Sequence, residues 1–186
     1  MIIYLVQHGQ TDWNLEKRIQ GQKNIPMNEK GIRQINELSD RIAEEKIRFD
    51  RLIASPLDRA KKSAEIIAEK TGFKGGIIFD EDFKERSNGS LEGIVWSPEL
   101  NMDDPKYNVE TIPELCKRAQ RALDKYVFNK DEVIMIVAHG AILTAVRTVL
   151  SDYRIDYFDR TTPVIQGNIL RCEIEDGKEA VFANLF

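Results

Sequence analysis

An uninterrupted apolar run opens the chain, Met1 to Val6, and a second, Val133 to Ala138, stands deep in its later half. Runs of this length with polar residues at both ends predict strands, and continuous rather than alternating apolar character predicts burial on both faces, as in a parallel sheet. The first strand is read as Ile2 to Gln7, ending at His8-Gly9, where glycine permits a sharp change of direction. A polar loop spans Gln10 to Met27, and Asn28 is the N-cap of a helix reaching Glu45, with Ile32, Ile35, Leu38 and Ile42 as its buried stripe. Leu52 to Ala54 predicts a strand that passes through Ser55-Pro56 into a helix over Leu57 to Thr71, with Ala60, Ala64, Ile67 and Ala68 inward and Gly72 as its stop. Ile77 to Phe79 reads as a third strand. Asp80 to Pro113 is broken by Gly89, Gly93, Pro98 and Pro105 and is expected to be irregular. A helix over Pro113 to Asn129, a helix over Ala141 to Leu150, and a terminal strand pair, Val164 to Ile174 and Glu179 to Phe182, joined at Asp176-Gly177, complete the pattern.

Strands alternating with helices of this length predict a three-layer α/β/α sandwich, a mainly parallel central sheet with helices on both faces. The 186 residues suffice for one domain, 1–186, with residues 81–112 as a lid or small insertion. Hydrophobic residues at 42% and charged residues at 31% exclude a largely disordered chain. A formal charge of -4 argues against nucleic acid or an acidic membrane face as a partner, so any anion site must be a local concentration of charge. The opening apolar run is too short for a secretory leader, and no stretch approaches the ~20 apolar residues of a spanning helix. Cys116 and Cys172 fall within helix and strand patterns rather than a spaced framework, which predicts reduced thiols and a cytoplasmic location.

The chain contains 2 histidines, and both sit in one setting: Val6-Gln7-His8-Gly9 and Val137-Ala138-His139-Gly140. Each leaves a buried strand at its carboxyl end, where open α/β sheets gather their ligands. Neighbouring parallel strands lie ~4.8 Å apart, so both imidazoles would reach one anion. Two histidines without ligand spacing or a carboxylate cluster make a poor metal site, and neither metal nor cofactor is expected.

These residues resemble the histidine phosphatase superfamily, also called phosphoglycerate mutase-like. The opening Leu5-Val6-Gln7-His8-Gly9-Gln10-Thr11-Asp12-Trp13-Asn14 is similar to its signature; Gln20-Gly21, Asn28-Glu29-Lys30-Gly31, Ala54 to Ala60, Glu85 to Gly93 and Val137 to Gly140 follow in the family's order. The resemblance implies that His8 is the nucleophile that becomes a phosphohistidine, with a backbone carbonyl just after it fixing its ring. It further implies that His139, Arg59, Asn14, Gln7 and Gly140 hold the phosphoryl group, that Gln20 and Gly21 meet the substrate, and that Glu85 protonates the leaving oxygen. Phosphoryl transfer depends mainly on positioning and on charge compensation at three oxygens, which suits convergent imidazole, guanidinium and amide donors.

Two departures stand out. Gln7 occupies the place of the family's usual arginine, which removes a full charge from a site for a dianion. Three outcomes follow, and the sequence does not choose among them: Arg18, Arg86 or a loop lysine compensates, the substrate brings different charge, or the protein binds phosphate and turns over slowly. Val109-Glu110-Thr111 stands where many relatives carry Gly-Glu-Ser/Thr, and Glu110 either faces the pocket or, the preferred reading, favours the following helix N-terminus through its dipole. The short stretch between Gly93 and Glu114 lacks the basic insertion of the mutases, so the expected activity is hydrolysis of a small phosphorylated metabolite. The alternatives are a catalytically weak phospholigand-binding or interaction protein, on the strength of Gln7, and a phosphoglycerate mutase. Trp96, Met102 and Tyr107 are read as packing within the lid, and the chain as a monomer or homodimer.

Overall fold

The structure is a computed structural model and describes residues 1–126, 131–175 and 177–186. Its centre is a 6-stranded sheet ordered β3-β2-β4-β1-β5-β6. In chain order the strands are β1 (Ile2–Gln7), β2 (Arg51–Ala54), β3 (Ile77–Phe79), β4 (Val133–Ala138), β5 (Ile169–Glu173) and β6 (Val181–Asn184). β1 pairs with β4, β4 with β2 and β2 with β3 in parallel, whereas β5 and β6 run antiparallel at one edge.

Helices α1 (Asp12–Leu15), α2 (Glu29–Glu44), α3 (Asp58–Thr71), α4 (Ile112–Asp124) and α5 (Gly140–Leu150) join these strands. Alternate residues of each central strand face opposite layers. Tyr4, Val6, Met135 and Val137 pack with Ile35, Leu38 and Ile42 of α2 and Ala64 and Ile67 of α3. Ile3, Leu5, Ile134 and Ile136 pack with Leu115 and Ala119 of α4 and Ile142 and Val146 of α5. The predicted three-layer sandwich is therefore observed, and each fully buried aliphatic side chain in it contributes ~1.5–3 kcal/mol.

The helix ends obey local chemistry. The Asn28 side chain accepts the Gly31 N–H at 2.9 Å, and Thr111 and Glu114 form a reciprocal capping box on α4. At Gly72, φ is 69°, and the following Phe73 N–H returns to the Ala68 carbonyl, closing α3.

Several sequence expectations change. Ile32 is 39% exposed and lies outside the buried stripe, because Gly31 takes the inward place at the start of α2. A Cβ at Gly31 would stand 2.1 Å from the Gln10 carbonyl oxygen, so this glycine lets the loop after β1 lie directly on α2. Gly9 serves the same approach: its φ is not left-handed, and a Cβ there would come within 2.4 Å of the Gly31 carbonyl oxygen. α4 is assigned to Asp124; the predicted continuation to Asn129 falls partly outside the described residues, as does Asp176 of the terminal turn. The segment after Asp80 holds three short 3₁₀ turns, Glu81–Phe83, Gly89–Leu91 and Pro105–Tyr107. β5 starts only at Ile169, which leaves the residues before it as a long loop.

Candidate active site

β1 and β4 are central neighbours, yet the chain leaves them toward opposite layers: β1 leads to α2 on one face and β4 leads directly into α5 on the other. This divergence opens a crevice at their carboxyl ends, the switch point at which α/β sheets bind ligands. The register pairs Gln7 with Ala138, so His8 and His139 leave the two strands side by side, with ring centroids 5.1 Å apart. Both are buried.

Hydrogen bonds fix the His8 ring. Its Nδ1 lies 2.7 Å from the Gly9 carbonyl oxygen, which can only accept, so Nδ1 carries the proton. Nε2 therefore keeps its lone pair and accepts from Arg59 Nε at 3.3 Å. Burial, then the nearby Arg59 cation, holds the His8 pKa down at about 3, and the same causes hold His139 well below its ordinary value. Both imidazoles are neutral at physiological pH. His139 Nε2 is 2.7 Å from the Ser55 hydroxyl, and its buried Nδ1 has no partner among the described residues.

Arg59 lies in the first turn of α3, fully buried, because the Ser55-Pro56-Leu57 turn aims that turn inward rather than at solvent. Its Nη1 donates to the Lys23 carbonyl and its Nη2 to the Gly21 carbonyl, each at 2.8 Å. Gly21 thus meets the arginine directly. Thr11 ties Asn14 to Gln20: its hydroxyl lies 3.1 Å from Asn14 Oδ1 and 2.9 Å from Gln20 Oε1. Asn14 Oδ1 also accepts the Thr11 N–H, while its Nδ2 makes no hydrogen bond among the described residues. Gln7 lines the cavity, its amide nitrogen 3.4 Å from where a Cβ at Gly140 would stand.

Glu85 reaches this crevice from the segment after β3. Its carboxylate accepts the N–H groups of Arg86 at 2.8 Å, Ile142 at 3.2 Å and Ala141 at 3.3 Å, the last two at the start of α5. Withdrawal from water pushes its pKa above the ordinary carboxylate range, against the opposing pull of these donors and of Arg59. Glu110 stands just before Thr111, the N-cap of α4, and specific contacts hold its carboxylate there. It forms a two-oxygen pair with Arg118, at 2.8 and 2.7 Å, and accepts the Ser87 N–H; Arg118 also donates to the carbonyls of Asp82, Lys84 and Glu85. Every nitrogen of this guanidinium is engaged, on the Glu110 carboxylate or on the backbone that carries Glu85.

The cavity measures about 280 Å³, and Gln7, His8, Asn14, Gln20, Gly21, Arg59 and Glu85 line it together. Arg18 and Arg86, two of the candidate compensators for the missing arginine, line it too, as does Met102. Trp96 is 51% exposed and not among the lining residues. Sequence reasoning missed Tyr157, another wall of the cavity, and Gln166, whose amide donates to the His8 carbonyl at 3.1 Å. Both lie in the loop before β5, a polar stretch without periodicity. Among the described residues no cluster of three or more ligating side chains is placed to hold a metal, and no helix is long and apolar enough to cross a membrane.

The chain is 38% identical over 152 residues to a Bacillus subtilis protein named uncharacterized phosphatase PhoE, covering 80% of this chain and 77% of that one. It is 34% identical over 159 residues to the Arabidopsis thaliana metal-independent phosphoserine phosphatase, covering 77% of this chain and 66% of that one. Among solved structures, Entamoeba histolytica phosphoserine phosphatase in complex with phosphoserine superposes with a TM-score of 0.78 at 26% identity, over 98% of this chain and 94% of that one. A mycobacterial glucosyl-3-phosphoglycerate phosphatase shares the fold, with a TM-score of 0.82 at 18% identity over 98% and 96% of the two chains. A family model for the histidine phosphatase superfamily (branch 1) matches residues 3–183, and with the fold and these relatives in agreement, the chain belongs to that superfamily.

Proposed function

We propose that this chain hydrolyses small phosphate monoesters through a phosphohistidine on His8, with Glu85 as the general acid and base. The observation that carries the reading is the fixed tautomer of His8, a neutral imidazole whose lone-pair nitrogen accepts from Arg59 beside a cavity that both residues line with Glu85 and Asn14. In the first step His8 Nε2 bonds to phosphorus as the phosphorus–oxygen bond to the leaving group breaks. The Glu85 carboxyl passes its proton to the departing oxygen. In the second step a water oxygen bonds to phosphorus, Glu85 takes a proton from that water, and the phosphorus–nitrogen bond breaks to release phosphate and neutral His8. Arg59, His139, Asn14 and the Gln7 amide serve the phosphoryl oxygens, with Gly140 beside them, and Gln20 and Gly21 border the substrate. Residues 81–112, which supply Glu85, Arg86 and Met102, act as the flap over the leaving group. Free, buried thiols at Cys116 and Cys172 suit the reducing cytoplasm.

Gln7 favours a second reading, a phospholigand-binding protein with slow turnover, since an amide offers a phosphoryl group less than a guanidinium does. Initial rates on p-nitrophenyl phosphate separate the two. The wild type should exceed His8→Ala clearly, and Gln7→Arg should raise the rate by roughly tenfold or more, an arginine contact to a transferring phosphoryl group being worth up to ~10³ and beyond. Equal rates for wild type and His8→Ala at high enzyme concentration would leave only the binding reading.

A further inference from the structure

α5 is apolar except at Thr144, Arg147 and Thr148, and Arg147 is 1% exposed. Burying a guanidinium in a helix facing the core is costly unless its donors are met. One loop meets the two terminal nitrogens, while the buried Nε has no partner among the described residues: Nη1 donates to the Thr162 carbonyl at 2.8 Å, and Nη2 donates to the Asp159 carbonyl at 2.9 Å and the Asp156 carbonyl at 3.2 Å. The chain turns back over the helix through two successive left-handed residues, Asp152 and Tyr153, with φ of 54° and 59°. Such a conformation in non-glycine residues needs support from its surroundings, and the Arg147 anchor lies just beyond it.

The anchored stretch includes Tyr157. Its ring packs on the core layer of α4 and α5, and the residue lines the cavity beside Glu85, Arg86, Met102 and Ala141. Its hydroxyl makes no hydrogen bond to the described residues. Burial and the neighbouring Glu85 push its pKa up to about 12, so it is a donor at every working pH. Glu85 is the group that meets the leaving oxygen in the proposed reaction, so Tyr157 borders the leaving group rather than the phosphoryl oxygens.

We infer that Tyr157 is a specificity-determining residue that donates a hydrogen bond to an acceptor oxygen on the leaving group, and that Arg147 is the buried residue that positions it. The substrates so selected are phosphate esters of alcohols that carry a hydroxyl or carboxylate oxygen close to the ester. The inference rests on the phosphatase reading and specifies its substrate class.

The test compares kcat/KM for O-phospho-L-serine and glycerol 2-phosphate with that for phenyl phosphate, whose leaving group has no oxygen but the ester's own. Wild type, Tyr157→Phe, Arg147→Met and the double variant are measured alongside His8→Ala. Tyr157→Phe should lower the ratio of alcohol to phenyl phosphate about tenfold, the size of one net hydrogen bond. Arg147→Met should lower the same ratio, and the double variant should be no worse than Arg147→Met alone, because both act through one contact. An unchanged ratio in Tyr157→Phe, or a wild type that hydrolyses phenyl phosphate but neither alcohol ester, overturns the inference while leaving the phosphatase reading intact. Wild-type rates equal to His8→Ala on all three esters overturn both. Should Arg147→Met fail to fold, the conservative Tyr157→Phe decides the matter.

Discussion

An imidazole attacks phosphorus only through a nitrogen that keeps its lone pair, and here that requirement is met by geometry rather than by a base. The Gly9 carbonyl claims the proton of Nδ1, and burial keeps the ring from taking another. The nucleophile should remain active far below the pH at which a free histidine protonates. In the proposed reaction Glu85 governs the alkaline side: its raised pKa keeps the acid form available, and loss of that proton removes the donor to the leaving oxygen. A pH profile of kcat/KM should therefore show no acid limb near the ordinary histidine value of 6.5 and should fall on the alkaline side. Glu85→Gln should cost ~10²–10⁴ in kcat on alkyl esters and abolish that fall. The same shift has a sign in stability. A carboxyl whose folded pKa is raised destabilises the fold once it must ionise, so Glu85→Gln should raise Tm at pH values above the shifted pKa and leave it unchanged below the ordinary carboxylate range. A Tm gain confined to acid would contradict the assigned shift.

At the scale of elements, the site is an assembly of ends: the carboxyl ends of β1 and β4, the first turns of α3 and α5, and the backbone of residues 82–85. The last of these runs out of the short 3₁₀ turn Glu81–Phe83 and is held by the Arg118–Glu110 pair, whose side chains are 11% and 15% exposed. Removing one partner of such a pair strands the other charge and three carbonyls. Arg118→Ala should lower stability by about 3 kcal/mol in denaturant unfolding and reduce kcat more than it raises KM. A KM effect alone would place Arg118 in substrate binding instead. Elements formed by apolar runs were legible in the sequence, because β1 and β4 are buried on both faces and their six-residue, β-branched runs are too short for a buried helix. Ile32 misled because helical period alone does not reveal that Gly31 must face the loop after β1. The loop before β5 was illegible, since carbonyls gathered by one buried arginine leave no periodic trace in the chain.

For the molecule as a whole, strand order does what local sequence does not. The repeated strand-His-Gly context of His8 and His139 suggested convergence, but only the β4-β1 adjacency, with following helices on opposite faces, makes one crevice of the two ends. Arg59, Glu85 and Asn14 were readable through their resemblance to a family and reach the same cavity from α3, the segment after β3 and α1. Tyr157 and Gln166 come from the loop before β5, which lies at the carboxyl end of β1, and carried no such signal. What the proposed reaction requires above all is that a phosphoryl group pass through His8. The direct measurement is rapid alkaline quench of wild type and His8→Ala during turnover, followed by peptide mass spectrometry. A phosphoryl adduct on the peptide containing His8, absent from the variant and lost on further incubation with water, is the predicted result. Turnover by the wild type with no adduct on His8 at any quench time, or with the adduct on another residue, would contradict it.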